Sequence, residues 1–252
     1  MSIIQLLLSV AAAAIYLMQL HNVQGNRFVF IAAIFHFLAL AQIVTQGFVT
    51  ENPLMPSAWG STLSLLIFLA VLACWQLLVL PAMRVVVLGG TAFAATLPLW
   101  LPASAPLVFS LHGALALIVY ALALAAFLLC LDLSLSEQRL RAQPPSNNAL
   151  PLLVREQRYF NYVLLSFAVL TLTLASGIYT AISSNTPVFE LTHKKIFACL
   201  TWLVFLLLLL GRYFAGWRGR VAQRWFFSGY VFLLLSYAGS TVVREIILEK
   251  TG

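Results

Sequence analysis

The stretch from His193 to Gly239 reads HKKIFACLTWLVFLLLLLGRYFAGWRGRVAQRWFFSGYVFLLLSYAG, and it decides the fold. It starts with a basic His-Lys-Lys segment, continues with an apolar run and closes that run at Gly211-Arg212. The compact segment Gly216–Arg220 turns the chain, and a second apolar run returns to Tyr237-Ala238-Gly239. Because a membrane helix needs about 20 mostly apolar residues, this pattern predicts an antiparallel pair of transmembrane helices.

The composition extends this prediction to the whole chain. Of its 252 residues, 62% are hydrophobic and 8% are charged, whereas a soluble domain carries about 25% charged residues. We therefore predict an all-α polytopic membrane protein whose surroundings are a lipid bilayer. A net charge of +7 could suggest nucleic acid, but the basic residues fall in short loops rather than on a soluble face, so we expect no nucleic-acid partner.

Eight apolar spans can be drawn along the chain. They are Ile3–Leu20, Phe28–Gln46, Ser57–Leu80, Val85–Leu101, Leu107–Leu133, Tyr159–Ser183, Lys195–Arg212 and Trp225–Leu248. None shows the two-residue alternation of a membrane β-strand, so we expect eight transmembrane helices. The first span lacks a preceding basic segment and is long enough to cross, which favours a retained helix over a signal peptide.

The basic residues predict the orientation. With the N-terminus outside, ten of them lie on the inner side: Arg27, Arg84, Arg139, Arg141, Arg155, Arg158, Arg212, Arg218, Arg220 and Arg224. Four lie on the outer side: Lys194, Lys195, Arg244 and Lys250. Because cytoplasmic loops are enriched in Lys and Arg, both termini are predicted to be periplasmic in a multi-pass protein of the bacterial cell inner membrane.

A single transmembrane domain is predicted over residues 1–252. A cytoplasmic loop at 134–158 would divide a five-helix part, 1–133, from a three-helix part, 159–252. We find no convincing internal repeat, which disfavours a transporter built from two related halves. In the sixth span, Thr173 and Gly177, like Ser176 and Thr180, are four residues apart, a spacing typical of close helix packing.

Histidines inside apolar spans indicate a partner or a cavity, because polar groups are costly in a bilayer. His21 lies at the inner end of the first span, where water can solvate it. His36 lies near mid-membrane, and two interpretations stay open for it. It is either a neutral imidazole bonded to a neighbouring helix, through Gln42 or a serine for example, or a buried ligand.

His112 and His193 are more informative as a pair. His112 is five residues into the fifth span, and His193 immediately precedes the seventh. Both are predicted at similar depth near the periplasmic face. A haem iron accepts two neutral imidazoles from separate helices as axial ligands, whereas zinc sites need three or four protein ligands. The spacing permits a shared haem site without requiring one.

Other residues at the outer side fit a haem as well. Lys194, Lys195 and Arg244 could meet its propionates, and the rings of Trp59 and Trp100 could stack on a porphyrin. Snorkelling lysines and interfacial tryptophans are equally consistent with these positions.

The sequence gives little support for catalysis or for covalent attachment of haem. The carboxylates form no pair that could flank a substrate, so we expect no enzyme. The dispersed cysteines give no Cys-x-x-Cys motif for covalent attachment, so a haem would be b-type and non-covalent.

Several segments of the C-terminal half share motifs with a known family. They are Thr201-Trp202-Leu203-Val204, Gly211-Arg212, Gly216–Arg220, Tyr237-Ala238-Gly239, Arg158-Tyr159-Phe160 and Leu174–Tyr179. Over roughly residues 107–245 they resemble the cytochrome c assembly family of CcsA/CcmC-type haem-handling membrane proteins, in its YpjD/HemX-like branch. The resemblance implies that His112 matches the family's first periplasmic haem-ligating histidine.

One departure from the family narrows the function. Haem-delivering members carry a Trp-rich periplasmic loop containing Trp-Asp-Pro-Lys-Glu, whereas this chain has Val188–Lys195 there. The resemblance therefore implies haem binding or regulation rather than delivery. Our first hypothesis is a haem-binding protein that uses His112 and His193, with His36 as a second, buried station. The alternative is a non-catalytic scaffold or regulator of haem biosynthesis that binds a protein partner at its cytoplasmic surface; a small-solute transporter is a third.

Overall fold

The computed structural model describes residues 3–20, 26–47, 59–73, 81–100, 111–142, 152–183 and 193–242. These ranges contain eight α-helices and no strand. They are α1 (Ile3–Met18), α2 (Asn26–Gly47), α3 (Trp59–Ala73), α4 (Pro81–Trp100), α5 (Leu111–Ala142), α6 (Leu152–Ser183), α7 (His193–Phe214) and α8 (Gly219–Val242). Each predicted span overlaps one helix, and the described residues are all-α as predicted.

The helices form two compact units, Met1–Ser110 and Leu111–Gly252. In the first, α1 and α3 each pack against α2 and α4; in the second, α5 and α7 each pack against α6 and α8. Each unit is therefore a ring of four helices in chain order. This grouping differs from the predicted division after residue 133, because α5 packs with the helices that follow it.

The predicted loop at 134–158 is largely helical, which corrects its boundaries. α5 continues to Ala142, and α6 begins at Leu152. These polar helix ends are held together across the two helices, since Arg155 Nη1 lies 3.1 Å from both carboxylate oxygens of Asp132 and 2.6 Å from Ser136 Oγ. A prediction based on the length of the apolar run ends each helix at the edge of the hydrocarbon layer, and it does not detect such contacts.

Within the described ranges, three helices are long and apolar enough to cross a membrane: α5 over His112–Gln138, α6 and α7. Three shorter apolar helical stretches, Ile3–Met18, Arg27–Ala41 and Arg84–Leu97, come from the first unit. The chain is therefore a membrane protein. Eight crossings and periplasmic termini stay predictions.

Helix α1 reverses the pattern of a soluble amphipathic helix. Its buried positions include Gln5, Ser9 and Tyr16, whereas Leu7 and Met18 are exposed. In water, a helix buries its apolar stripe and exposes its polar face. Polar side chains turned inward and aliphatic ones turned outward are the arrangement expected of a helix surrounded by lipid.

An aromatic core joins α6, α7 and α8 in the second unit. The rings of Phe205 and Phe226 stack at 5.7 Å between centroids, and Tyr159 meets Phe226 edge-on at 5.5 Å. Gly229 of α8 lies beneath Phe205, because a Cβ there would be 2.6 Å from the ring. Since lipid tails are as apolar as these rings, close contact rather than removal from water stabilises this packing.

A second ion-pair group lies at the end of this unit where α7 finishes and α6 and α8 begin, hereafter the arginine end. Glu156 Oε1 lies 2.8 Å from Arg212 Nη1 and 3.9 Å from Arg218 Nε. The Arg212 guanidinium also sits 4.4 Å from the centre of the Phe160 ring. α6, α7 and the turn before α8 are thereby connected.

The α7–α8 turn is closed by its own backbone. The N–H groups of Ala215 and Trp217 both donate to the Gly211 carbonyl, each at 3.0 Å. Gly216 has φ +63°, a left-handed conformation that favours glycine. The indole of Trp217 folds over Gly211 and stacks on Trp225 at 5.3 Å. The predicted hairpin is confirmed, although α8 begins at Gly219 and includes arginines we had placed in the loop.

Candidate functional site

Two histidines lie at the opposite end of the second unit, hereafter the histidine end. His112 is the second residue of α5, and His193 is the first of α7. Helix α6 gives their relative height, because Ser176 contacts His112 and Thr171 contacts Trp202 of α7. His193 is nine residues before Trp202. Because α6 and α7 run antiparallel, His193 lies at the height of the α6 residue nine positions after Thr171, which is position 180. That position is four residues, or ~6 Å, beyond Ser176, so the two histidines lie within roughly one turn of each other in height.

The two histidines occupy opposite corners of the four-helix ring. α5 and α7 each pack against α6 and α8, which places α5 diagonally across from α7. Neighbouring helix axes are about 8–10 Å apart, so diagonal axes are about 11–14 Å apart. No hydrogen bond or ring contact joins the two imidazoles in the part of the chain that the structure describes. A ligand held by both would lie over the end of the bundle, between the corners.

His112 is fixed against α6. Its Nδ1 lies 3.0 Å from Ser176 Oγ, and the Ser176 hydroxyl lies 2.8 Å from the Thr173 carbonyl oxygen. A Cβ at Gly177 would be 3.2 Å from His112 Cε1, so the ring rests against the α6 backbone. None of the described residues forms a hydrogen bond with Nε2. As far as the described residues show, Nε2 is therefore the ring nitrogen that a ligand could use.

His193 and the two lysines after it form the exposed first turn of α7. All three side chains are exposed, and Ser236 Oγ donates to the Lys194 carbonyl at 3.2 Å, which ties this turn to α8. Of the predicted propionate partners, Lys194 and Lys195 thus lie beside a candidate ligand, whereas Arg244 lies outside the described residues.

The two tryptophans predicted to stack on a porphyrin belong to the first unit. Trp59 is the first residue of α3, and Trp100 is the last residue of α4. Their side chains lie outside the described part of the structure, so their stacking role stays a prediction.

His36 also belongs to the first unit and is almost completely buried, with 1% of its surface exposed. Its Nε2 lies 2.8 Å from Ser64 Oγ on α3. Tyr16 and Phe68 meet the ring edge-on, at 6.2 Å and 5.0 Å between centroids. The predicted bond to a serine on a neighbouring helix is confirmed. Nδ1 is buried and has no hydrogen-bond partner among the described residues, so the interpretation as a ligand stays open.

Residues 2–248 match the sequence model of a family described as cytochrome C assembly protein. The chain belongs to the cytochrome c assembly protein family. It is 32% identical to the inner membrane protein YpjD of Escherichia coli K12 over 138 residues, which are 54% of this chain and 52% of YpjD. The YpjD of E. coli O157:H7 matches to the same extent. The chain therefore spans about half the length of these curated relatives. No solved structure matches it significantly.

The cytochrome c assembly family is associated with haem handling. The side chains at the histidine end are of the types that bind a haem. His112 presents a ring nitrogen without a partner among the described residues, His193 is exposed nearby, and Lys194 and Lys195 supply positive charge. The described residues contain no group of three or more His, Cys, Asp or Glu that could hold a metal ion. A haem requires only one or two axial ligands, because the porphyrin supplies the other four.

The contact between Ser176 and His112 was not predicted from the sequence. The spacing of Ser176 to Thr180 indicated helix packing, and the structure shows that it also contacts His112 from the neighbouring helix. The available signal was a hydroxyl-bearing residue at a depth similar to that of a histidine. Selecting it among the other serines and threonines of α6 would have required the register between α5 and α6.

Proposed function

We propose that this member of the cytochrome c assembly family binds haem non-covalently at the histidine end, where His112 and His193 would hold its iron. The observation that carries the proposal is geometric: two helices begin at one end of the bundle with histidines within about one turn in height. On α7 the residues that carry the family resemblance begin at Thr201, in the same helix as His193. Neither a catalytic residue nor a bond-making step is part of the proposal.

Each side chain has a separate task in this site. When bound, haem would supply an iron that takes nitrogen ligands. His112 offers its Nε2, while its contact with Ser176 holds the ring in place. His193 offers an imidazole from the opposite corner. Lys194 and Lys195 would pair with the propionates, and Arg244 would be a third cation for them.

Two further parts of the proposal lie in the first unit. His36 would be a second, buried site for haem, supported by its Nδ1, which has no hydrogen-bond partner in the described part of the chain. Trp59 and Trp100 would contribute ring faces to a porphyrin. Because the E. coli relative is named an inner membrane protein, we place this chain in the bacterial inner membrane. From the distribution of arginines we infer that the histidine end faces the periplasm.

The test is the absorption spectrum of the purified protein. We expect a Soret band when the protein comes from haem-replete cells, and extraction of the pigment into acidic organic solvent because the haem is not covalently attached. His112→Ala and His193→Ala should each weaken or shift the band. Ser183→Ala is the matched control, since that exposed serine at the same end of α6 bonds to its own helix through the Thr180 carbonyl. A band unchanged in the double histidine variant refutes the proposal.

The arginine end favours a second candidate, a scaffold or regulator of haem biosynthesis with a protein partner at the cytoplasmic side. The side chain of Arg218 is 61% exposed, and Arg220 and Arg224 are exposed on the first turns of α8. Charge reversal at Arg218 and Arg220 should abolish cross-linking to a partner in membranes and leave any pigment unchanged. Lys194→Glu, at the other end, is the control. Cross-linking that survives the arginine reversals rejects this candidate.

A further inference from the structure

Ser176 can form both of its contacts in only one way. A serine hydroxyl has one hydrogen to donate and lone pairs to accept with. Its oxygen lies 2.8 Å from the Thr173 carbonyl oxygen and 3.0 Å from His112 Nδ1. Because a carbonyl can only accept, the serine hydrogen must point to Thr173 if that bond is to exist. The serine oxygen then accepts, and His112 Nδ1 must carry the proton.

The opposite assignment loses a bond. If Nδ1 were bare, the serine would have to turn its only hydrogen to His112, and the contact with the Thr173 carbonyl would no longer be a hydrogen bond. The tautomer with a bare Nδ1 is therefore disfavoured by the loss of one hydrogen bond. In a neutral imidazole one nitrogen donates and the other accepts, so a protonated Nδ1 leaves the lone pair on Nε2.

Gly177 completes this arrangement. The residue after Ser176 has no side chain, and a methyl there would be 3.2 Å from His112 Cε1 and 3.6 Å from Nδ1. The ring can therefore lie close enough to α6 for Nδ1 to reach Ser176. A larger residue would push the ring away by a few tenths of an ångström and lengthen the bond.

We infer that Ser176 is a positioning residue that holds His112 in the Nδ1-protonated tautomer and thereby selects Nε2 as the nitrogen offered to haem. The consequence for haem rests on the proposed function, whereas the tautomer is a property of the chain itself. Histidine ligands of metals are oriented in this way by an acceptor on the second nitrogen, and loss of such a partner typically costs about 10–100-fold in metal affinity.

The first experiment needs no haem. The protein without haem is labelled with ¹⁵N-histidine, and the His112 signals are assigned by their absence from His112→Gln. We expect a protonated Nδ1 and a bare Nε2 in the wild type, a mixture of tautomers in Ser176→Ala, and the wild-type pattern in Ser176→Thr, which keeps a hydroxyl. A wild-type His112 protonated at Nε2 overturns the inference, whatever the protein binds.

The second experiment measures haem affinity by titration. Ser176→Ala should bind haem about tenfold or more weakly, whereas Ser176→Thr and the control Ser183→Ala should stay near the wild type. Ser176→Ala with undiminished affinity overturns the positioning role. A wild type with the expected tautomer but no haem binding refutes the proposed function and leaves the tautomer assignment standing, so the two failures are distinguishable.

Discussion

Two arginines share one carboxylate oxygen at the arginine end, and they should differ greatly in their contribution to stability. Arg212 Nη1 lies 2.8 Å from Glu156 Oε1, and its side chain is 20% exposed. Arg218 Nε lies 3.9 Å from the same atom, and its side chain is 61% exposed. We predict that Arg212→Met lowers the free energy of unfolding by about 3 kcal/mol and that Arg218→Met lowers it by less than about 0.5 kcal/mol.

The difference follows from their contacts. A hydrogen bond to a charged group contributes about 1.5–3 kcal/mol, and the position of Arg212 over Phe160 adds about 0.5–2 kcal/mol. The side chain of Glu156 is only 10% exposed, so removing Arg212 leaves a nearly buried carboxylate without its closest cation. Breaking a buried pair costs about 3–5 kcal/mol. The nearby Arg218 offsets part of this loss by moving closer. An exposed pair at the distance of Arg218 contributes about 0–1 kcal/mol.

The assay is reversible unfolding in mixed micelles by a graded increase in SDS, followed by circular dichroism. Glu156→Gln completes a double-mutant cycle with each arginine. We expect a coupling energy of about 2 kcal/mol between Arg212 and Glu156 and one near zero between Arg218 and Glu156. Equal coupling energies for the two arginines would show that contact distance and exposure do not set the strength of these pairs here. An Arg212→Met variant with an unchanged free energy of unfolding would show the same.

Three other outcomes can be measured separately. Ser64→Ala should destabilise the protein by about 1–3 kcal/mol, because it removes the bond to the buried His36 Nε2; an unchanged unfolding midpoint argues against that bond. Gly229→Ala should cost about 1–3 kcal/mol, since the new methyl meets Phe205, and a stabilised variant would mean that α7 and α8 separate easily. Reporter fusions at both termini should be active as periplasmic alkaline phosphatase and dark as green fluorescent protein, and the reverse pattern would invert the predicted orientation.

The eight helices could be predicted from sequence because each depends on a local property. An apolar run of sufficient length must be helical in a bilayer, where every backbone group needs an internal partner. The helix ends between α5 and α6 could not be predicted in this way. Residues 134–142 and 152–158 carry several charged side chains, and their helical structure is accompanied by contacts between residues such as Asp132 and Arg155, which lie far apart in sequence.

The division of the helices into two units could not be predicted from the sequence either. The longest connection between spans suggested a boundary after the fifth helix. The structure instead groups α5 with α6, α7 and α8. Hydrogen bonds between α5 and α8 accompany this packing: Tyr120 donates to the Leu233 carbonyl at 3.3 Å, and Ser134 donates to Gln223 at 2.9 Å. Loop length carries no information about such pairs.

The candidate site depends on the same non-local register. Along α5, His112 and Asp132 are twenty residues apart; along α6, their partners Ser176 and Arg155 are twenty-one residues apart. The two helices therefore keep one antiparallel register over about 30 Å. A slip of one turn would break the ion pair and would move Ser176 about 5 Å along the helix axis from His112. The charges at the arginine end thus help to set which hydroxyl meets the imidazole at the histidine end, and this explains why the partner of His112 could not be predicted from the sequence.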